Sequence, residues 1–278
     1  VTHLVDIADL RIRFPTPSGE VEAVRGVSLS MGREKLGIVG ESGSGKSLTG
    51  RALLRILPPN ARMTAQRLSF DGIDLLTADI RTMRNLRGAR IGLVMQDPKF
   101  SLNPVMTIGA QMLEALQAHS RIGRREGIEK AASLLESVRI RDVSRVLKAY
   151  PTELSGGMGQ RAMIAMMLAP DPDLLIADEP TSALDASVQA TILELIGDLV
   201  SSRGMGLMLI SHDLPLVSHF CDRVCVMYAG RVVETLPARD LAHAQHPYTQ
   251  GLLACLPKID HRAERLPVLT RDPAWLTA

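Results

Sequence analysis

The run Gly40-Glu41-Ser42-Gly43-Ser44-Gly45-Lys46-Ser47 follows directly on the apolar stretch Leu36–Val39. Its glycines let backbone N–H groups turn inward around an anion with no Cβ in the way. The residues after it, with Leu48, Ala52, Leu53 and Leu54, read as an apolar helix, whose N-terminal end adds partial positive charge beneath the same anion. Strand, glycine loop and helix in this order hold phosphate: Lys46 reaches the outer phosphates and the Ser47 hydroxyl takes Mg²⁺. The competing explanation is a flexible loop that matches by chance, and the flanking strand and helix weigh against it. The feature commits the chain to an α/β fold with ligands at the C-terminal ends of its strands.

The remaining pattern agrees. Leu10, Ile12 and Phe14 alternate with Arg11 and Arg13, Val27, Leu29 and Met31 alternate again, and Asp71-Gly72 marks a hairpin. From about Pro104 the period becomes helical: Ala110–His119 is rich in helix formers, and Ile128, Ala131, Leu134, Leu135 and Val138 share one helical face. After Pro151 strands return. Leu174–Ala177 and Leu207–Ile210 are apolar without alternation, as in a parallel sheet covered on both faces. The helical stripe Val188, Ile192, Leu195, Ile196, Leu199 lies between them, and Val224–Tyr228 with Arg231–Glu234 forms a hairpin around Ala229-Gly230.

Three strands end in polar residues suited to chemistry. Asp178 and Glu179 close Leu174–Ala177, and paired acids at a buried strand's end need a reason. Asp178 suits Mg²⁺ through water, and Glu179 suits orienting and deprotonating a water; a solvated acid pair before the turn at Pro180 is the plain alternative. His212 follows a strand and could contact phosphate, although a lone histidine there is more often a loop residue. Gln96, after Ile91–Met95, could touch metal or water. Leu154-Ser155-Gly156-Gly157-Met158-Gly159-Gln160-Arg161 precedes the apolar helix Ala162–Leu168 and makes a second anion-binding helix terminus, or a plain cap with a glycine turn.

Composition excludes more than it assigns. With Lys plus Arg at 32 and Asp plus Glu at 30, net charge is +2, which gives no argument for nucleic acid or an anionic membrane. No apolar run reaches the roughly 18 residues that span a bilayer, and the acids within Val1–Leu10 do not suit a signal peptide. The chain reads as cytosolic. Cys221, Cys225 and Cys255 form no CxxC pair and read as reduced, semi-buried thiols.

Taken together, over about residues 4 to 240, these stretches resemble the ATP-binding cassette (ABC) ATPases, in that family's order. Gly40–Ser47 resembles the Walker A loop, Gln96 the Q-loop, Ser155–Gly159 the signature, Leu174–Glu179 the Walker B strand, Ser182-Ala183-Leu184-Asp185 the D-loop and His212 the switch histidine. The resemblance implies a RecA-like P-loop core with a mostly parallel sheet, an N-terminal antiparallel β subdomain and an inserted α-helical subdomain at about residues 97–163. It implies ATP on Gly40, Glu41, Ser42, Gly43, Ser44, Gly45, Lys46, Ser47 and Leu48, with Phe14 stacking on adenine or, equally, serving as a core strand residue. Glu179, His212 and Gln96 would be catalytic, and Ser47, Gln96 and Asp178 would hold Mg²⁺. ATP would lie in a head-to-tail dimer, with Ser155, Gly156 and Gly157 supplied by the other subunit.

Gly40 to Thr49, Met95-Gln96-Asp97-Pro98 with Leu102-Asn103-Pro104, and His246-Pro247-Tyr248-Thr249 look like the dipeptide, oligopeptide and nickel importer subfamily; Leu154–Met158, with Met158 in place of Gln, resembles its first ATPase subunit, and Arg145–Pro151 looks like its nickel branch. That implies a second ATPase subunit, with a heterodimer preferred over a homodimer. It also implies two integral membrane permease subunits docking near Gln96–Phe100 and the helical section, a solute-binding protein acting indirectly, and no nucleic acid. The place would be peripheral, at the cytoplasmic face of the bacterial inner membrane. Residues 1–240 would be the ATPase domain and 241–278 a shortened C-terminal extension, with no iron–sulfur cluster because Cys255 is alone there. Gly159 stands where the family often has a larger polar residue. The alternatives are a non-transport ABC ATPase, either the ATP-binding protein of carbon–phosphorus lyase or a DNA-associated one.

Overall fold

The alternating N-terminal residues become a long hairpin. β1 (Val5–Thr16) pairs antiparallel with β2 (Gly19–Met31), from Val5↔Met31 to Thr16↔Gly19. Leu10, Ile12, Val24, Val27 and Met31 are fully buried, as a half-wet strand pair requires. The computed structural model describes residues 3–97, 101–182 and 184–256, with Asp272 and Trp275. The chain divides into two compact units, Val1–Thr77 with Leu209–Ala278, and Ala78–Met208.

In the first unit the hairpin belongs to a five-stranded antiparallel sheet. β4 (Arg62–Thr64) and β5 (Arg67–Phe70) pair with β1, and β6 (Ile73–Asp74) pairs with β5. Between β5 and β6, Asp71 and Gly72 take φ 48° and 76°, the doubly left-handed turn that a two-residue hairpin favours. The second sheet region of this unit starts at β3 (Lys35–Val39), which leads into helix α1 (Lys46–Leu53).

In the second unit α2 (Ile80–Leu86) is capped by Asp79, whose carboxylate accepts the Thr82 N–H at 2.7 Å. β7 (Ile91–Val94) and β8 (Leu174–Asp178) run parallel from Ile91↔Leu174 to Val94↔Ala177. Between them come α3 (Ile108–His119), α4 (Arg124–Ser137), α5 (Val143–Lys148) and α6 (Gly156–Met167). The sequence points to a helix start at Pro104, but α3 begins at Ile108, where Thr107 Oγ1 accepts the Ala110 N–H at 3.3 Å. The reason is Gln111. Its buried amide accepts from Asn103 N–H at 2.8 Å and donates to the Asn103 and Met106 carbonyls at 3.0 Å each, holding the Pro104 segment as a turn.

α7 (Ala186–Arg203) ends on Gly204 at φ 62°, and β9 (Gly206–Ser211) carries the chain back into the first unit. There follow α8 (Leu214–Phe220), β10 (Arg223–Tyr228), β11 (Arg231–Pro237) and α9 (Pro247–Ala254). β10 lies parallel to β3, with Val226↔Val39, and antiparallel to β11 through a turn at Ala229 and Gly230, φ 44° and 86°. The mixed α/β architecture, with β3 and β10 parallel in one unit and β7 and β8 parallel in the other, is the fold class expected. Among the described residues no helix is long and apolar enough to cross a membrane. Residues 98–100 of the expected docking stretch, Ala183 and residues 257–271 of the expected extension lie outside the described residues.

Candidate active site

The phosphate loop sits in the first unit, between β3 and α1. Gly40 has φ 149°, and a Cβ there would lie 2.1 Å from the Met227 carbonyl oxygen, so β10 passes too close for any other residue. Lys46 is 5% exposed, and its Nζ donates to the Gly40 and Glu41 carbonyls at 2.8 Å each. The Ser44 N–H donates to the Glu41 carbonyl at 3.2 Å, and the Ser44 carbonyl accepts the Gly230 N–H at 3.1 Å, which ties the loop to the β10–β11 turn. The N-cap of α1 is Gly45, which makes no side-chain cap, while Thr49 Oγ1 bonds the Gly45 carbonyl at 3.0 Å. A folded-back ammonium beside a helix start without an acidic or capping side chain is a donor set that suits phosphate.

Other expected residues of this unit lie around its strands. Ser42 and Gly43 are exposed, and Glu41, Ser47 and Leu48 half-buried. Phe14 is half-buried opposite Val21 in the β1–β2 hairpin. His212 is exposed, directly after β9. Its neighbours are fixed: the Asp213 N–H donates to Ser211 Oγ at 3.0 Å, and the Asp213 carboxylate accepts the Leu216 N–H at 2.9 Å.

In the second unit every residue of β8 is buried, including Asp178 at 5% exposure. Glu179 is half-buried with φ 49°, a left-handed backbone that costs a side-chain-bearing residue about 1 kcal/mol. Several bonds hold that turn. Ser182 donates to the Glu179 carbonyl from N–H at 3.3 Å and from Oγ at 3.2 Å. Gln189 donates to the Thr181 carbonyl at 2.8 Å, and Gln160 of α6 donates to the Pro180 carbonyl. Gln96 is exposed, and Gln96 and Glu179 each stand two residues beyond the paired positions Val94 and Ala177. Among the described residues, this unit therefore brings Gln96, Asp178 and Glu179 to one end of a parallel strand pair.

The second anion-type terminus is also in this unit, and its helix starts at Gly156, six residues before the expected Ala162. Ser155 is the N-cap of α6 and accepts the Met158 N–H at 3.3 Å, so Gly156 and Gly157 lie inside the first turn, not ahead of the helix. Ser155 and Gly156 are exposed and Gly157 half-buried. A helix start presented to solvent this way can accept an anion from outside the chain.

Two residues escaped the sequence reading. Gln160 lies inside the stretch singled out for its glycines, but only the fold shows its bond to the turn after Glu179. Tyr248, within a run read as a subfamily marker, accepts the Glu41 N–H at 3.1 Å. Neither spacing nor composition announces a contact of that range.

Comparison with known proteins follows the same lines. Residues 24–182 match the ABC transporter family. A probable peptide ABC transporter ATP-binding protein, y4tR of Sinorhizobium fredii, is 49% identical over 95% of this chain and 80% of that protein. The oligopeptide transport ATP-binding protein OppD of Bacillus subtilis is 45% identical over 100% of this chain and 78% of its own length. Among solved structures, the dimeric structure of MJ0796, described as a bacterial ABC transporter cassette, superposes with a TM-score of 0.74 at 26% identity, covering 84% of this chain and 99% of that one.

Proposed function

Because this chain belongs to the ABC transporter family and is an ABC ATPase, we propose that it is the ATP-hydrolysing subunit of a peptide importer. The observation that carries the reading is the 49% identity to a probable peptide transporter ATP-binding protein over 95% of the chain. Residues 1–240 form the ATPase domain, its helical section at about 97–163, and 241–278 form an extension.

Each proposed role follows from the chemistry of the side chain. Lys46 and the loop amides offset phosphate charge, the Lys46 ammonium facing the phosphate oxygens while the Gly40 and Glu41 carbonyls hold it over the loop. Mg²⁺, when bound, screens charge on the transferring phosphoryl group. Ser47, Gln96 and Asp178 are its proposed ligands. Glu179, held by the bonds after β8, takes the proton of the attacking water, with Gln96 and His212 orienting it. Phe14 flanks the base. Ser155, Gly156 and Gly157 serve the nucleotide of a second ATPase subunit, preferably a different chain. Two permease subunits dock on the helical section, where a cleft of about 860 Å³ is lined by Met106, Ala110, Leu113, Ile128 and Leu147. The complex works at the cytoplasmic face of the bacterial inner membrane.

The test is to purify the permease and second ATPase subunits through this chain, reconstitute them in vesicles with the binding protein, and measure ATP turnover. Oligopeptide is expected to stimulate turnover, and Glu179→Gln to lower it at least about 100-fold. Undiminished turnover in Glu179→Gln would sink the mechanism, and stimulation by nickel chelate without peptide would sink the cargo. Salt-sensitive DNA binding without membrane partners would sink transport altogether.

A further inference from the structure

Tyr248 is fully buried within α9, yet its hydroxyl reaches the phosphate loop 207 residues earlier and accepts the Glu41 N–H at 3.1 Å. The tyrosine ring lies 4.4 Å from that of Tyr228 and 5.8 Å from that of Trp275. Tyr228 directly follows Met227, whose carbonyl is the atom that closes Gly40 to any side chain. One aromatic side chain therefore bears on the loop from two sides, through the Glu41 peptide and through β10.

The segment carrying Tyr248 is itself held. Pro247 stands in the first turn of α9, His246 Nδ1 accepts the Tyr248 N–H at 3.1 Å, and the Gln245 N–H donates to Glu234 Oε1 of β11 at 2.6 Å. Glu41 also holds the lysine, because the Lys46 ammonium donates to the Glu41 carbonyl at 2.8 Å. A rotation of the Glu41 peptide displaces that ammonium. Phosphate binding by a backbone cradle depends on donors fixed in advance, since each donor that must be ordered on binding costs affinity.

We propose that Tyr248 is a positioning residue for the phosphate loop: its hydroxyl fixes the Glu41 peptide, and through it the Lys46 ammonium, in the geometry that takes the phosphates of a nucleotide. The inference rests on reading Gly40–Ser47 as the ATP loop. It gives the segment after the ATPase core a part in nucleotide affinity. Tyr248→Phe keeps the ring and its contacts with Tyr228 and Trp275 but removes the hydroxyl that accepts the Glu41 N–H. Because the hydroxyl acts on the phosphate cradle and not on the base, its loss weakens ATP and GTP alike.

The experiment uses the full-length chain and displaces a fluorescent ATP analogue with ATP or GTP. Tyr248→Phe is expected to raise both dissociation constants by the same factor, about 2- to 10-fold, as the loss of one hydrogen bond does. Tyr228→Phe removes a hydroxyl from the same cluster without touching Glu41 and is expected to stay within about twofold of the parent. A dissociation constant is read from the folded molecules, so partial misfolding changes the binding stoichiometry and leaves the comparison intact. Tyr248→Phe binding ATP as tightly as the parent, or losing ATP but not GTP, overturns the proposal. Lys46→Ala separates it from its premise: if this variant loses ATP while Tyr248→Phe does not, only the positioning role fails. If Lys46→Ala binds ATP normally, the loop reading falls and the positioning role with it.

Discussion

Burial pushes the Cys221 thiol up to about 12, helped by the Asp222 carboxylate, and the Cys225 thiol up to about 11. Both are protonated at pH 8, and the reactive form of cysteine is the thiolate. A maleimide probe at that pH should therefore modify half-buried Cys255 first and reach Cys221 and Cys225 only after unfolding, as mass mapping of labelled peptides would show. Equal labelling of all three would contradict the buried placement. Because these folded values lie above the ordinary thiol value of 9.0, the stability the neutral thiols contribute is full below about pH 9 and lost as pH climbs toward 12. Reduced, partly hidden cysteines were legible in the sequence, since nothing paired them. The left-handed backbone at Glu179 was not, because it arises from bonds made by Ser182, Gln160 and Gln189 to the turn, and no local pattern reports those.

Among the helices, the close approach of α3 to the end of α5 sets a sharper test. A Cβ on Gly109 would lie 2.7 Å from the Leu147 carbonyl oxygen, and the Ile108 N–H is bonded to the Ala149 carbonyl at 2.9 Å. α3 cannot step back without breaking that bond. Gly109→Ala should destabilise the chain by about 1–3 kcal/mol despite the better helix propensity of alanine, seen as a lower urea midpoint at constant slope. No loss of stability would mean that α3 and α5 are farther apart than described. Helix periodicity found α4: Ala131, Leu134, Leu135 and the C-cap Val138 are buried, while Ile128 of the same stripe is half-buried. It misplaced the start of α3 because a proline suits a turn as readily as a first helical residue, and Gln111 decides between them through side-chain bonds. The parallel strands were legible for the opposite reason: strands buried on both faces, such as Leu174–Ala177, read as unbroken apolar runs.

At the scale of the whole molecule, one chain carries two anion-type helix starts, at Lys46 and at Gly156, in different compact units. The proposed heterodimer predicts that Glu179→Gln with ATP stays monomeric alone and doubles in mass only when mixed with the second ATPase subunit, measured by sedimentation. A doubled mass from this chain alone would replace the heterodimer by a homodimer. Element order along the chain was readable without a structure, but the contact from Tyr248 to Glu41 was not, since a bond across 207 residues leaves no periodic trace. That separation also has a meaning in time. At 5–20 residues per second, about 10 to 40 s pass between synthesis of Glu41 and synthesis of Tyr248. β10, the parallel neighbour of β3, is likewise late to emerge. While Tyr248 is still unmade, the nascent chain therefore displays its glycine loop without the tyrosine behind it, and on the role proposed for Tyr248 a tight grip on nucleotide waits for α9.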